Sequence, residues 1–422
     1  MGRSLSELIA QHDVPGVQVA VLADGRIEDD AAGVLSRHTR VEATTDSVFK
    51  IGSITKIWTA TLVQQLVNEG RLDLDRPVSD YLPGFKLNTT ARQLLTHTSG
   101  MDANHFTDTG RGDDAIEKFV ATLADADHPF PPGAVFSYSN SGFATLGRLV
   151  EVLRGKRFHD VLRERIATPL GLETVAVDPY EAILHRAAVG HVETDGKLAP
   201  TKSWAVRYHC TPSGSHLAIS ARELLEFVSM HLTDPKLAAL RETQLDNVPD
   251  FGGGIVGWGL GWMRYRDGVV GHTGVSKGQT AFLRVAPSAG VAVAVLTNSA
   301  GGAPLAYEIF AQVLHDLAGV ETDPLPVPTA DPAPIDIDRM GGTYRTTQQD
   351  ITLAVENGRA FLTYRPRNGK PAHRVEVVRL SDNAIITVEP KLDGHQVLSL
   401  IGDDGHGRAR FLHSGAAAYR IA

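Results

Sequence analysis

The sequence predicts an α/β protein with an antiparallel sheet flanked by helices, a helical subdomain between the sheet's two halves, and a small antiparallel β-barrel at the C-terminus. Three observations predict it. Strand patterns stand at both ends of the first 320 residues, with helical patterns between them. Five prolines, Pro324, Pro326, Pro328, Pro332 and Pro334, then mark a semi-rigid linker. Beyond Ile335, helical periodicity nearly vanishes and short alternating strands take over. The divisions expected are 1–320, 321–334 and 335–422.

The first segment reads as a helix over Ser4 to His12, a strand over Gly16 to Ala23, a turn at Asp24-Gly25 and a second strand over Arg26 to Gly33. A long helix follows from Ile54 to Glu69, closed by Gly70 at a position that favours φ > 0. The middle carries helices at Ala91 to Thr96, Ala115 to Ala124, Ser141 to Arg154 and Ala221 to Leu232. Strands return at Gly261 to Arg266, Val269 to Thr273, Ala281 to Ala286 and Val291 to Thr297, with hairpin-turn chemistry at Asp267-Gly268. A helix from Leu305 to Leu317 closes this part. Eight strands are expected in the last 88 residues, among them Ile351 to Val355, Ala360 to Tyr364, Arg408 to Leu412 and Ala417 to Ile421. Asn357-Gly358 supplies a strong hairpin signal, and the strand number fits a small antiparallel barrel or sandwich, of which a lipocalin-like barrel is the one expected.

Composition limits the function classes. The 422 residues carry 41 Lys plus Arg against 49 Asp plus Glu, a formal charge of −8. That balance lacks the basic footprint of a nucleic-acid binder. The single cysteine, Cys210, permits no intrachain disulfide and reads as a minor loop thiol, with lining of a pocket as the alternative. No run is apolar for long enough to predict a membrane span, and no export signal is apparent, so a cytoplasmic protein is expected. The histidines show no metal-ligand spacing, and neither metal nor cofactor is expected. Gly252, Gly254 and Gly257 fit Gly-x-Gly-x-x-Gly, but no strand–helix context surrounds them, and a flexible loop is expected.

Chemistry concentrates at Ser53-Ile54-Thr55-Lys56, the opening of the long helix. Positions i and i+3 share a helical face, so the hydroxyl and the amine meet. A lysine withdrawn from water has a lowered pKa and can serve as base to a serine nucleophile. The helix N-terminus also offers N–H groups to an oxyanion.

Three stretches, Phe49 to Lys56, Asn68 to Asp75 and Leu94-Leu95-Thr96-His97-Thr98-Ser99-Gly100, resemble the serine β-lactamase and penicillin-binding-protein superfamily. The resemblance is to its class C β-lactamase, D-Ala-D-Ala peptidase and esterase branch, over roughly residues 5–318. It implies that Ser53 is the nucleophile and Lys56 its base. It implies that Tyr138, in Phe136-Ser137-Tyr138-Ser139-Asn140, relays the proton with a pKa depressed by the lysine. Asn140 would bind Lys56 and substrate. The third motif is Gly271-His272-Thr273-Gly274, where the branch commonly has Lys-Thr-Gly. By resemblance His272 faces the site, Thr273 and Gly274 contact substrate, and the N–H of Val275 joins that of Ser53 in an oxyanion hole. A histidine there gives less to a substrate carboxylate than a lysine would, and should titrate near ~6.5.

The expected function is a serine acyl hydrolase or acyltransferase with an acyl-enzyme on Ser53, cleaving an ester, amide or thioester. Its substrate would be a small-molecule or peptidyl acyl group, free or on a carrier or leaving group, with no nucleic-acid partner. The alternatives are a penicillin-binding-protein-type thioesterase that releases or macrocyclises a nonribosomal peptide, a D-amino-acid peptidase or β-lactamase, and an inactive β-lactamase-like binding protein.

Overall fold

The structure is a computed structural model and describes residues 3–101, 107–126, 128–204, 207–246, 248–249 and 251–422. An eight-stranded sheet centres the first region. Its strand order is Arg26–Gly33, Gly16–Ala23, Val291–Thr297, Gln279–Ala286, Val270–Ser276, Met263–Tyr265, Ile255–Trp258 and Leu245–Asp246. All neighbours are antiparallel. The two ends of the region meet where Val17 pairs with Thr297 and Leu22 with Ala292.

Alternation along the strands explains the layering. Val291, Val293 and Val295 face one side with Leu305, Ile309 and Leu314 of the helix Ala303–Ala318 and Leu5 and Leu8 of the helix Leu5–Gln11. Ala292, Ala294 and Leu296 face the other side, against the helices Thr55–Asn68, Asn140–Arg154 and Ala221–Thr233. Both faces are covered, so these strands read as continuous apolar runs. Asp267 and Gly268 turn the chain into Val270–Ser276 with φ of 53° and 74°, as a type I′ turn demands.

The last region is a closed eight-stranded barrel. It runs from Gly342–Arg345 to Ala417–Arg420 and closes where Tyr344 pairs with Arg420. Asn357 and Gly358, with φ of 51° and 79°, form the expected hairpin turn. Ile351, Leu353, Leu362, Leu398, Leu400 and Leu412 fill the interior. Its side meets the first region through Phe130, whose ring stands edge-on to Phe411 at 5.5 Å, and through Asp393, which accepts a 3.1 Å bond from the Ala303 amide.

Some boundaries differ from expectation. Ser53 belongs to a 3-10 turn, Gly52–Ile54, and the α-helix runs Thr55–Asn68. The strand expected over Arg408 to Leu412 is Phe411–His413, because Arg408 is tied back to Asp404 at 2.8 Å in the preceding turn. Among the described residues, no helix is long and apolar enough to cross a membrane. Nor is any group of three His, Cys, Asp or Glu placed to hold a metal ion.

Candidate active site

The turn carrying Ser53 lies against the strand Val270–Ser276. Gly52 has φ of 51°, and a Cβ there would stand 2.6 Å from the Val275 nitrogen. A Cβ on Gly274 would stand 1.9 Å from the Ile51 carbonyl oxygen and 3.1 Å from the Ser53 nitrogen. Only glycines allow this backbone-to-backbone approach, and it sets the amides of Ser53 and Val275 side by side. Neither the turn nor the helix has a side-chain cap, so the Ser53 hydroxyl serves no capping role.

Lys56 is fully buried. Its Nζ lies 3.1 Å from Ser53 Oγ and donates to Asn140 Oδ1 and the Ser213 carbonyl, each at 2.7 Å. Burial pushes the amine down to about 7, with the neighbouring Cys210 acting weakly in the other direction. A neutral amine has two N–H groups and one lone pair. Asn140 and Ser213 take the two donors, which leaves the lone pair for the Ser53 proton.

Tyr138 places its ring face 4.8 Å from Lys56 Nζ and hydrogen-bonds the Ser53 side chain through its hydroxyl. The depressed phenol pKa expected from sequence is not found. Burial raises it above the ordinary tyrosine value, while the bond to Ser53 pulls the other way. An amine at about 7 keeps only part of its charge at neutral pH, and what acts on the phenol is burial and Ser53, not Lys56. Tyr138 is thus a protonated O–H donor. Asn140 begins the helix Asn140–Arg154, whose Ser139 cap accepts a 3.1 Å bond from Gly142 N.

His272 is fully buried on its strand. Its Nδ1 lies 2.8 Å from the Thr273 carbonyl, and a carbonyl only accepts, so Nδ1 carries the hydrogen. Nε2 is then a bare acceptor, buried without a partner among the described residues. The ring stands 6.2 Å from that of Tyr138. Burial first, then the Lys56 charge, push His272 down to about 3, which corrects the expected titration near ~6.5 for an unperturbed histidine. The Thr273 hydroxyl bonds Tyr265, Gly274 is buried, and Val275 is 64% exposed.

Two contributors escaped the sequence reading. The segment Tyr208–Ser213 supplies the Ser213 carbonyl to Lys56, and Cys210 lies on that segment. No residue type announces a backbone carbonyl, so no signal could have found it. His97 is the second. Its carbonyl accepts from Ser137 N at 2.8 Å and its Nδ1 from Ser139 N at 3.0 Å, with its ring 4.3 Å from that of Tyr138. Its φ of 57° in the Leu94–Gly100 motif was the available clue only once a backbone existed.

The family profile named Beta-lactamase matches residues 2–317. Penicillin-binding protein 4 of Amycolatopsis lactamdurans is 41% identical over 362 residues, covering 80% of this chain and 94% of its own. The solved structure of SurE is similar over 98% of this chain and 97% of its own, with 29% identity and a TM-score of 0.80. SurE with D-Leu matches over the same shares, with 28% identity and a TM-score of 0.77.

Proposed function

The chain belongs to the β-lactamase family, and from that premise we propose that it is a serine acyl hydrolase or acyltransferase working through an acyl-enzyme on Ser53. The observation that carries this reading is the 3.1 Å approach of a fully buried Lys56 amine to Ser53 Oγ, with its other partners fixed. Lys56 takes the Ser53 proton as Oγ bonds to the acyl carbon. The developing oxyanion accepts from the N–H groups of Ser53 and Val275. Tyr138 gives its proton to the leaving group and regains one from Lys56. Water or an amine then attacks the acyl-enzyme along the reverse route. Asn140 holds Lys56 in register, and Gly274 lets substrate lie along the strand, flanked by Thr273.

His272 selects the substrate. A bare, neutral Nε2 accepts from an N–H or O–H and does not hold a carboxylate. The reading therefore favours esters, amides and thioesters without a carboxylate at that position. The likeness to SurE over nearly the whole chain, barrel included, and the D-Leu seen with SurE support recognition of a D-residue, and a second reading places that residue in a peptidyl thioester that the enzyme releases or macrocyclises. A cavity of about 540 Å³ lies at the seam with the barrel, lined by Phe130, Ser137, Arg345, Arg367, Ser414 and Tyr419, but Ser53, Lys56, Tyr138, Asn140 and His272 do not line it, so it lends the peptidyl reading no support.

Intact-mass trapping tests both readings. The panel is p-nitrophenyl esters, D- and L-aminoacyl amides, penicillins and peptidyl thioesters. An adduct on Ser53 from esters or thioesters is expected. Absence of any Ser53 adduct, including with a fluorophosphonate, would sink the acyl-enzyme. Durable trapping by peptidyl thioesters but not simple esters would favour the second reading.

A further inference from the structure

The backbone amides of the segment carrying Tyr138 are held by elements distant in sequence. Its amides bond alternately to two distant elements. Ser137 N and Ser139 N bond the carbonyl and Nδ1 of His97, while Tyr138 N donates to the Gly415 carbonyl at 2.9 Å. Gly415 lies in the barrel, on the connection between Phe411–His413 and Ala417–Arg420. The same connection makes two more bonds to the segment. Ala417 N donates to Ser137 Oγ at 3.2 Å, and His413 Nε2 lies 2.9 Å from the Phe136 carbonyl.

His413 closes this set into a ring. It is fully buried, and its Nδ1 lies 3.2 Å from Gly415 N. The Phe136 carbonyl only accepts, so Nε2 carries the hydrogen. The Gly415 amide only donates, so Nδ1 is bare. One neutral tautomer satisfies both partners. Phe251, at the head of the Gly252-Gly253-Gly254 loop, covers the ring, with centroids 6.0 Å apart, and stacks on Phe136 at 6.4 Å. The path from His413 thus runs through Gly415 to the Tyr138 amide and through Phe136 to the backbone two residues before it.

We propose that this barrel hairpin is part of the catalytic machinery, and that His413 is a positioning residue that fixes Tyr138 through the Gly415 carbonyl and the Phe136 carbonyl. The proposal rests on Ser53 and Tyr138 acting as described above. It assigns the barrel a role in acylation itself, separate from any role in holding substrate.

The test uses the full-length chain and the rate of Ser53 acylation by a simple alkyl ester, whose leaving alkoxide needs the proton that Tyr138 supplies. His413→Leu removes both bonds and should slow acylation about tenfold or more, within the range of general acid–base effects, with KM nearly unchanged. His413→Asn keeps an acceptor for Gly415 N and should recover most of the rate. On a Tyr138→Phe background, His413→Leu should have almost no further effect, as members of one unit are non-additive. Should His413→Leu fail to fold, Ser137→Ala loosens the same hairpin from outside the barrel and should slow acylation by a smaller factor, again only when Tyr138 is present. Normal acylation in His413→Leu, or equal slowing with and without the Tyr138 hydroxyl, would overturn the proposal. If wild type itself leaves Ser53 unmodified, the catalytic reading fails instead, whatever His413 does.

Discussion

The two halves of the site are built in opposite ways. Ser53 and Lys56 are three residues apart, and one turn of backbone brings their side chains to 3.1 Å. Tyr138 reaches the same hydroxyl from a segment bonded to a histidine 42 residues before Ser139 and to a barrel histidine 277 residues after Phe136. The proposed nucleophile and base are thus a local device, while the proposed proton donor to the leaving group is held by distant parts of the fold. Local devices survive changes elsewhere in the chain, whereas a device assembled from distant parts is sensitive to each of them.

The largest expected effect strikes the local half. Ser53→Ala should cost ~10⁴-fold or more in turnover, as for other hydroxyl nucleophiles, with little change in melting temperature. Retention of a tenth of wild-type activity would remove Ser53 from its role. The next effect joins the halves. Lys56→Ala and Tyr138→Phe should each cost ~10²–10⁴-fold, the range of general acid–base catalysis, and the double variant should be little worse than the worse single one. Additive losses would mean that the two groups act in separate steps, and the contrast drawn above would no longer describe a single relay.

The same contrast explains what could be read in advance. Ser53-Ile54-Thr55-Lys56 was legible because helical spacing alone brings i and i+3 together. The sheet was legible in the paired runs at Val17–Leu22 and Val291–Thr297, and the barrel in the alternation of Ile351 and Leu353 with their neighbours. Tyr138, Asn140 and His272 could be named only by resemblance, since nothing in their spacing relates them to Ser53. The charge states were not legible at all. A lysine that sheds its proton near pH 7, a phenol that keeps its proton and a histidine that stays neutral across that range all follow from burial, which belongs to the packed structure. His413 and Gly415 fell in the connection between the strands expected over Arg408 to Leu412 and Ala417 to Ile421.

The smallest expected effect falls on His272 and separates two groups that could each govern the pH profile. Lys56 must be neutral to accept the Ser53 proton, and burial brings its amine down to about 7. Acylation should therefore rise with pH through about 7 and level off above it. His272, pushed to about 3, stays neutral across that window and contributes no limb to it. His272→Gln keeps a neutral hydrogen-bonding group of similar reach. It should lower turnover by no more than ~10-fold, the value of a single hydrogen bond of ~1–1.5 kcal/mol, and leave the midpoint where it is. His272→Lys adds a cation instead. It should raise relative activity toward substrates with a carboxylate while driving the Lys56 midpoint lower, because a second positive charge disfavours the ammonium. Rate measurements from pH 5 to 9 on the three proteins decide the matter. A limb that disappears in His272→Gln would assign the titration to the histidine and return the lysine to an ammonium, which could not serve as the base for Ser53.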